Sequence, residues 1–257
     1  MKTTQIAAQL YTLRDFCKTS ADLAATARKV RAIGYRAVQV SSVGPIPEEE
    51  IVAILQGEGL AICATHEGGN IILDEPERVI ARLQKLNCRL TAYPWPQGVD
   101  FSDPAQVGTL IRKLDAAGAK FREAGLVLGS HNHAIEFVRC EGRPALELIF
   151  ERTDPRNLVG EIDTYWIHYG GGDVLDWCRR LRGRMPFIHL KDYAYTMANK
   201  PVYAEIGAGS LPFARIVAEA EAGGCEWFII EQDVCPGDPF ASLAQSFAYA
   251  RDHLAKG

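Results

Sequence analysis

No run in this chain approaches the roughly 18 consecutive apolar residues of a membrane-spanning helix. Its opening residues, Met1-Lys2-Thr3-Thr4-Gln5-Ile6, hold no long apolar signal core. The expectation is a cytosolic (cytoplasmic) protein with no membrane partner. Dense Lys/Arg blocks and interleaved basic-aromatic patches are also missing, and the net charge is −4. A duplex-binding protein usually carries such a patch, so nucleic acid is not the expected partner. Neither GxGxxG after the first apolar run nor GxxxxGK followed by Ser or Thr occurs, which removes support for nucleotide-binding folds. The seven cysteines, Cys17, Cys63, Cys88, Cys140, Cys178, Cys225 and Cys235, are odd in number and form no CxxC. Such cysteines in a cytosolic chain read as reduced, mostly buried thiols; Cys235, after the last apolar run, is the best placed for reactivity.

What the chain does have is alternation. Short apolar runs span 5–10, 36–40, 60–65, 88–93, 126–131, 158–163, 187–190 and 227–231. Helical patterns separate them. The first runs from about Ser20 to Ile33, with Leu23, Ala27, Val30 and Ile33 at helical spacing and Gly34 as its stop. Others begin at Pro47, near Asp74 and Pro76, at Asp103-Pro104, near Pro144, after Gly170-Gly171-Gly172-Asp173, at Pro212 and at Pro239. Lys191 to Ser210 reads as a loop. The runs are nearly continuously apolar, as in strands covered on both faces. Eight strand-helix units in 257 residues predict an α/β fold, a single (β/α)8 TIM barrel over 1–257.

Active sites of such barrels sit at the C-terminal ends of the strands. Those ends offer Gln9 and Tyr11, Gln39, His66 and Glu67, Tyr93 and Trp95, then His131, His133 and Glu136. The last three offer Asp163, Tyr165 and Trp166, then His189, Lys191 and Asp192, then Glu231 and Asp233. Four of the six histidines fall on this rim. Asp163, His189 and Glu231 each end an apolar run, and a buried carboxylate there needs a partner. A divalent cation suits this mixed nitrogen and oxygen set. The alternative for any one of them is an ordinary strand-end cap or ion pair. His131 and His133, two apart, face the same side; either can ligate a metal or move a proton. Lys191 faces the side of His189 and can hold an anionic oxygen, or it is a rim lysine. Tyr11, Trp95 and Trp166 supply aromatic walls for a sugar face, or simply core packing. His66 is a candidate substrate contact or a loop-edge hydrogen-bonding residue. Gly207-Ala208-Gly209 offers backbone amides to a phosphate or a sugar oxygen.

Ile188-His189-Leu190-Lys191-Asp192, Glu205-Ile206-Gly207-Ala208-Gly209 and Ile230-Glu231-Gln232-Asp233 resemble the xylose isomerase-like superfamily. More narrowly, His131-Asn132-His133 with Glu136-Phe137 resembles the bacterial sugar phosphate isomerase/epimerase group, and Gln9 to Arg14 and Asp163-Thr164-Tyr165-Trp166 fit it too. The resemblance covers essentially the whole chain and implies a barrel holding one divalent metal, Mn²⁺, Co²⁺, Mg²⁺ or Zn²⁺. In the better-understood epimerases the ligands are Glu, Asp, His and Glu from strands five to eight. Asp163, His189 and Glu231 match the last three. Strand five departs: His131 stands at the usual glutamate position and Glu136 follows in the loop, so the fourth ligand is either His131 or a folded-back Glu136. Trp166 is a second departure, where many relatives carry histidine.

The chemistry so implied is carbohydrate metabolism: proton abstraction next to a carbonyl through a metal-stabilised enediolate. Glu231 or His133 is the expected base and Lys191 the oxyanion partner. Gln9, Tyr11, His66, Trp95 and Trp166 are the expected contacts of a small carbohydrate substrate. Isomerisation or epimerisation is the first expectation. Dehydration or lyase action on a keto-sugar or inosose is the second, because a histidine-rich strand five can protonate a leaving oxygen. A non-catalytic sugar-binding barrel and an abasic-site endonuclease rank below both. Barrels of this kind also form homo-oligomers.

Overall fold

The computed structural model describes residues 1–256. Eight barrel strands follow one another along the chain: β1 Ile6–Gln9, β2 Ala37–Val40, β3 Ala61–His66, β4 Leu90–Tyr93, β5 Val127–His131, β6 Leu158–Glu161, β7 Phe187–Leu190 and β8 Trp227–Ile230. All pair in parallel, in the order β6-β5-β4-β3-β2-β1-β8-β7. The remaining seam, between β6 and β7, is bridged at the C-terminal rim. There Asp163 pairs with His189, whose amide donates to the Ile162 carbonyl at 3.0 Å. The nearly closed (β/α)8 barrel expected from the alternation is what forms.

Helices cover the outside, and their signals are local. Helix α1, Ser20–Ile33, has the expected bounds. Thr19 is the N-cap and exchanges hydrogen bonds with Asp22 in a capping box, while Leu23, Ala27 and Val30 are buried. The helix expected near Asp74 and Pro76 is α3, Pro76–Lys85, and a further short helix, α2 Gly69–Asp74, precedes it; Pro76, which cannot donate to a preceding turn, separates the two. Helix α4, Pro104–Glu123, and helix α5, Thr164–Tyr169, are capped by Asp103 and Asp163. The expected loop after β7 holds an antiparallel hairpin, Asp192–Tyr195 with Pro201–Ala204. Six cysteines are buried and free, and Cys235 is half-buried.

The barrel interior is layered. Ala7, Ala37, Cys63, Leu90, Phe187 and Ile229 belong to one buried apolar cluster. Phe187 takes its place because β5 carries Gly129: a Cβ there would lie 2.7 Å from Phe187 Cζ. Two residues further along each strand, on the same face, stand Gln9, Gln39, His131, Glu161 and His189, all buried. An apolar floor therefore supports a polar layer at the end where the strands stop.

Candidate metal centre and cavity

Register decides which polar residues meet. His131 pairs with Glu161 across β5 and β6, and Gln9 with Gln39 across β1 and β2. Glu161 is fully buried, accepting from Gln39 Nε2 at 2.7 Å and meeting His66 Nε2 at 2.5 Å. His131 Nδ1 lies 3.5 Å from the same carboxylate. His189 turns Nε2 to Gln39 Oε1 at 2.6 Å and Nδ1 to Glu231 Oε2 at 2.9 Å. Nearer the rim, Lys191 Nζ stands 2.9 Å from Asp163 Oδ2, 2.8 Å from Glu231 Oε2 and 3.0 Å from Asp233 Oδ2.

Charge governs this region. Three carboxylates, Asp163, Glu231 and Asp233, surround one lysine that is 1% exposed, and a fourth, Glu161, is buried among the histidines below. Burial alone would depress Lys191, but Asp163, Glu231 and Asp233 outweigh it and hold the ammonium well above its ordinary value. Burial pushes Glu231 up, yet Lys191 and His189 hold it well below the usual carboxylate range. Asp163 is lowered in the same way, chiefly by Lys191 against its burial. Burial drives His131 down to about 4 and, with the His131 charge, His133 down to about 2, so both imidazoles are neutral at pH 7.

The donor set fits a divalent cation. Ligand atoms of His131, Asp163, His189 and Glu231 all lie within 4.8 Å of one another. Two of these residues keep buried polar atoms without a hydrogen bond, His131 Nδ1 and Asp163 Oδ2. Asp163 Oδ2 forms an ion pair with Lys191 Nζ at 2.9 Å without hydrogen-bond geometry, while Oδ1 accepts from the Trp166 amide at 3.0 Å. Four acidic groups, Glu161, Asp163, Glu231 and Asp233, against Lys191 and His189 leave room for further positive charge, and mixed nitrogen and oxygen donors suit a borderline metal ion.

Above the cluster opens a cavity of about 760 Å³. Tyr11, His66, Trp95, His131, His133, Trp166, Lys191 and Glu231 all line it. His133 stands between two indoles, edge-on to Trp95 at 4.7 Å between ring centroids and tilted on Trp166 at 5.2 Å. Trp95 is 48% exposed at the mouth. His133 Nδ1 and Trp166 Nε1 are buried without a protein hydrogen bond.

Two expected residues lie elsewhere. Gln9 does not reach the cavity; it is buried beneath it and donates to Gln39 Oε1 at 2.8 Å. Glu136 does not fold back into the cluster, since its carboxylate is turned to the His133 amide at 2.8 Å inside the β5 loop. The Gly207-Ala208-Gly209 amides offer nothing to a ligand either. Those of Gly207 and Gly209 both donate to Asp192 Oδ2 at 2.9 Å. Glu161 escaped the sequence reading because only residues ending the apolar runs were considered. The period of two would have found it, since it stands two before Asp163 on the same face.

Glu136 has a consequence for stability. Burial pushes it from an ordinary value near 4.5 up to about 8, against the His133 amide, which lowers it. The folded chain thus keeps a proton that the unfolded chain releases near 4.5. The associated stability is complete below that pH and is lost as pH rises to about 8. Glu136→Gln keeps an acceptor for the His133 amide and has no proton to lose. At pH 8.5 it is expected to be more stable than the parent by on the order of 2 kcal/mol, with the gap closing towards pH 4.5. Urea unfolding at the two pH values measures this, and equal differences at both would contradict it.

The description "xylose isomerase-like TIM barrel" is that of the family model matching residues 27–253. Over 160 residues the chain is 26% identical to an inosose dehydratase of Geobacillus thermodenitrificans strain NG80-2, covering 56% of this chain and 53% of the relative. The chain spans about half the length of the curated relatives it matches. A sugar phosphate isomerase/epimerase from Parabacteroides distasonis ATCC 8503 superposes with a TM-score of 0.84 at 18% identity, over 100% of this chain and 96% of its own. A xylose isomerase-like TIM barrel protein from Mycobacterium smegmatis, solved in complex with magnesium, superposes with a TM-score of 0.74 at 16% identity, over 99% and 98%. At such identities the likeness to these structures concerns the fold alone.

Proposed function

The chain belongs to the xylose isomerase-like TIM barrel family, and we propose on that footing that it is a divalent-metal-dependent sugar isomerase or epimerase that removes a proton next to a carbonyl. The observation that carries this is the convergence of His131, Asp163, His189 and Glu231 within 4.8 Å under the cavity. A divalent cation held by those residues would act as a Lewis acid on the substrate carbonyl.

The rest is the work of side chains. Glu231 is ionised and lines the cavity, so it can accept a proton from a substrate carbon. Neutral His133 is the second acceptor. Lys191, held by three carboxylates, presents a fixed positive charge towards substrate oxygen. Trp95, His133 and Trp166 form a panel on which the C–H face of a sugar ring packs, with the free Trp166 indole N–H available to a hydroxyl.

Among the described residues Lys191 is the only Lys or Arg lining the cavity, and acidic partners already share its charge. A neutral sugar suits this lining and a phosphate does not. The second reading is a dehydratase or lyase acting on a cyclic keto-sugar. Its support is the inosose dehydratase relative together with His131, which ends β5, and His133 just beyond it, whose ring centroids lie 5.0 Å apart. In that reaction His133, neutral at the outset, takes the carbon-bound proton and returns it to the departing oxygen.

Proton exchange in D₂O tests both readings. Neutral ketoses, inososes, 3-keto-glycosides and phosphorylated ketoses are incubated with and without Mn²⁺ and followed by NMR. Metal-dependent deuterium uptake with isomer formation is the expected result. Uptake with loss of a hydroxyl or aglycone selects the second reading, and no metal-dependent exchange overturns both. A phosphorylated ketose is expected to show kcat/KM at least about tenfold below its neutral counterpart, about 1.4 kcal/mol; equal values would refute the neutral-substrate assignment.

A further inference from the structure

The hydrogen bonds beneath the cavity run in one direction. The Tyr11 amide can only donate, and it gives to Gln9 Oε1 at 3.2 Å. Gln9 therefore presents Nε2 to Gln39 Oε1, at 2.8 Å. Gln39 presents its own Nε2 to Glu161 Oε1, at 2.7 Å. The Tyr11 amide is an obligate donor, so the relay is fixed from that end and each side-chain amide in it has one orientation.

His189 meets this relay at its side. Its Nε2 is 2.6 Å from Gln39 Oε1 and 3.3 Å from Glu161 Oε1. Both are acceptors, so Nε2 carries hydrogen. A metal ion binds only the neutral imidazole, and with Nε2 protonated the lone pair of that form is on Nδ1, the atom 2.9 Å from Glu231 Oε2 and 3.8 Å from Asp163 Oδ2. His131 also lies against this carboxylate, its Nδ1 3.5 Å from Glu161 Oε2. His66 Nε2 also meets Glu161, and its ring stacks on His189 at 5.2 Å between centroids.

The geometry points to Glu161 as a positioning residue: through the Gln39 amide it fixes the tautomer and ring orientation of His189, so that Nδ1 is the atom offered to a divalent cation between Asp163 and Glu231. This rests on the reading of His131, Asp163, His189 and Glu231 as a cation site. The same residue restrains His131 and His66. A second ion among His66, His131, Glu161 and His189 is the competing use of the cluster, since their ligand atoms also lie within 4.8 Å. Against it, both Glu161 oxygens already meet close protein donors, Gln39 and His66. Partners of this kind, one step removed from the metal, change affinity by about 10–100-fold.

Titration of the ¹⁵N-histidine-labelled full chain with Zn²⁺ tests the assignment, by calorimetry and by ¹⁵N–¹H spectra of the rings. The parent is expected to bind about one Zn²⁺, with His189 protonated at Nε2 and metal-shifted at Nδ1. Glu161→Gln, which can turn either amide atom towards Gln39, is expected to bind about 10–100-fold more weakly and to show mixed His189 tautomers. Unchanged affinity and an unchanged tautomer in E161Q overturn the positioning role and leave the cation site standing. Two ions in the parent and one in E161Q overturn it in favour of the second ion. No binding by the parent overturns the cation site and this inference together. Should E161Q not fold, the parent still decides, because a metal shift at His189 Nε2 contradicts the assignment. Gln39→Met then serves as the second variant, with about tenfold weaker Zn²⁺ binding expected and unchanged affinity overturning the relay.

Discussion

Asp163→Asn is expected to leave the barrel folded and to bind Mn²⁺ at least about 100-fold more weakly than the parent, since less direct partners of a metal are worth about 10–100-fold. The reasoning starts from the two oxygens of this fully buried side chain. Oδ1 caps helix α5 through the Trp166 amide, whereas Oδ2 has no hydrogen bond. Asparagine keeps an oxygen for the cap and removes the negative charge. Asp163→Ala also loses the cap, worth about 1 kcal/mol, and strips Lys191 of one of its three carboxylates. Alanine should therefore lower both binding and melting temperature, and asparagine mainly binding. Calorimetric titration with Mn²⁺ beside thermal melts of the metal-free proteins separates the two. If Asp163→Asn binds as tightly as the parent, Asp163 is a helix cap and no ligand. Turnover in the D₂O assay should vanish with binding.

The second large effect concerns Lys191. Its ammonium is the only lysine or arginine charge paired with the carboxylates of Asp163, Glu231 and Asp233 among the described residues. Lys191→Met retains the stem volume and leaves those carboxylates facing one another. Removing one partner of a buried ionic network costs about 3–5 kcal/mol, and that loss is expected at pH 7. Without the lysine the carboxylates resist ionisation in the folded state, so their folded values rise towards or above those of the unfolded chain. The deficit should then shrink as pH falls towards 5, where the carboxyls take up protons. A divalent cation supplies the same compensation. Millimolar Mn²⁺ should therefore raise the melting temperature of the variant more than that of the parent. Equal stability at pH 7, or a deficit that deepens on acidification, would show that Lys191 does not neutralise this cluster.

Much of this site could be read along the chain. Asp163, His189 and Glu231 each follow an apolar run directly, and in a parallel barrel the ends of such runs share one rim. Trp95, His133 and Trp166 came into view by the same rule. The rule stops where a residue lies inside the apolar run that the sequence shows, even if it ends the strand. Glu161 ends β6 two positions before Asp163, and its partners are remote: Gln39 is 122 residues away and His66 is 95. Gln9 misled for a related reason. It ends β1 and so counts as a rim residue, yet it points beneath the cavity and bonds only within the barrel. The Gly207 to Gly209 amides misled through a contact 15 and 17 residues back, where the buried Asp192 carboxylate takes them.

The sequence by itself determined the order of strands and helices, the α/β class and the rim on which chemistry would gather. Those features follow from period-two and period-3.6 patterns, caps and prolines, which act over a few residues. Tertiary structure alone decided which rim residues touch. It set His189 between Glu161 and Glu231, spent the charge of Lys191 on three carboxylates, and turned Glu136 away from the cluster. Hydrogen-bond direction, burial and charge compensation depend on distances of a few ångströms between side chains far apart in the chain, and only the closed barrel brings those distances about.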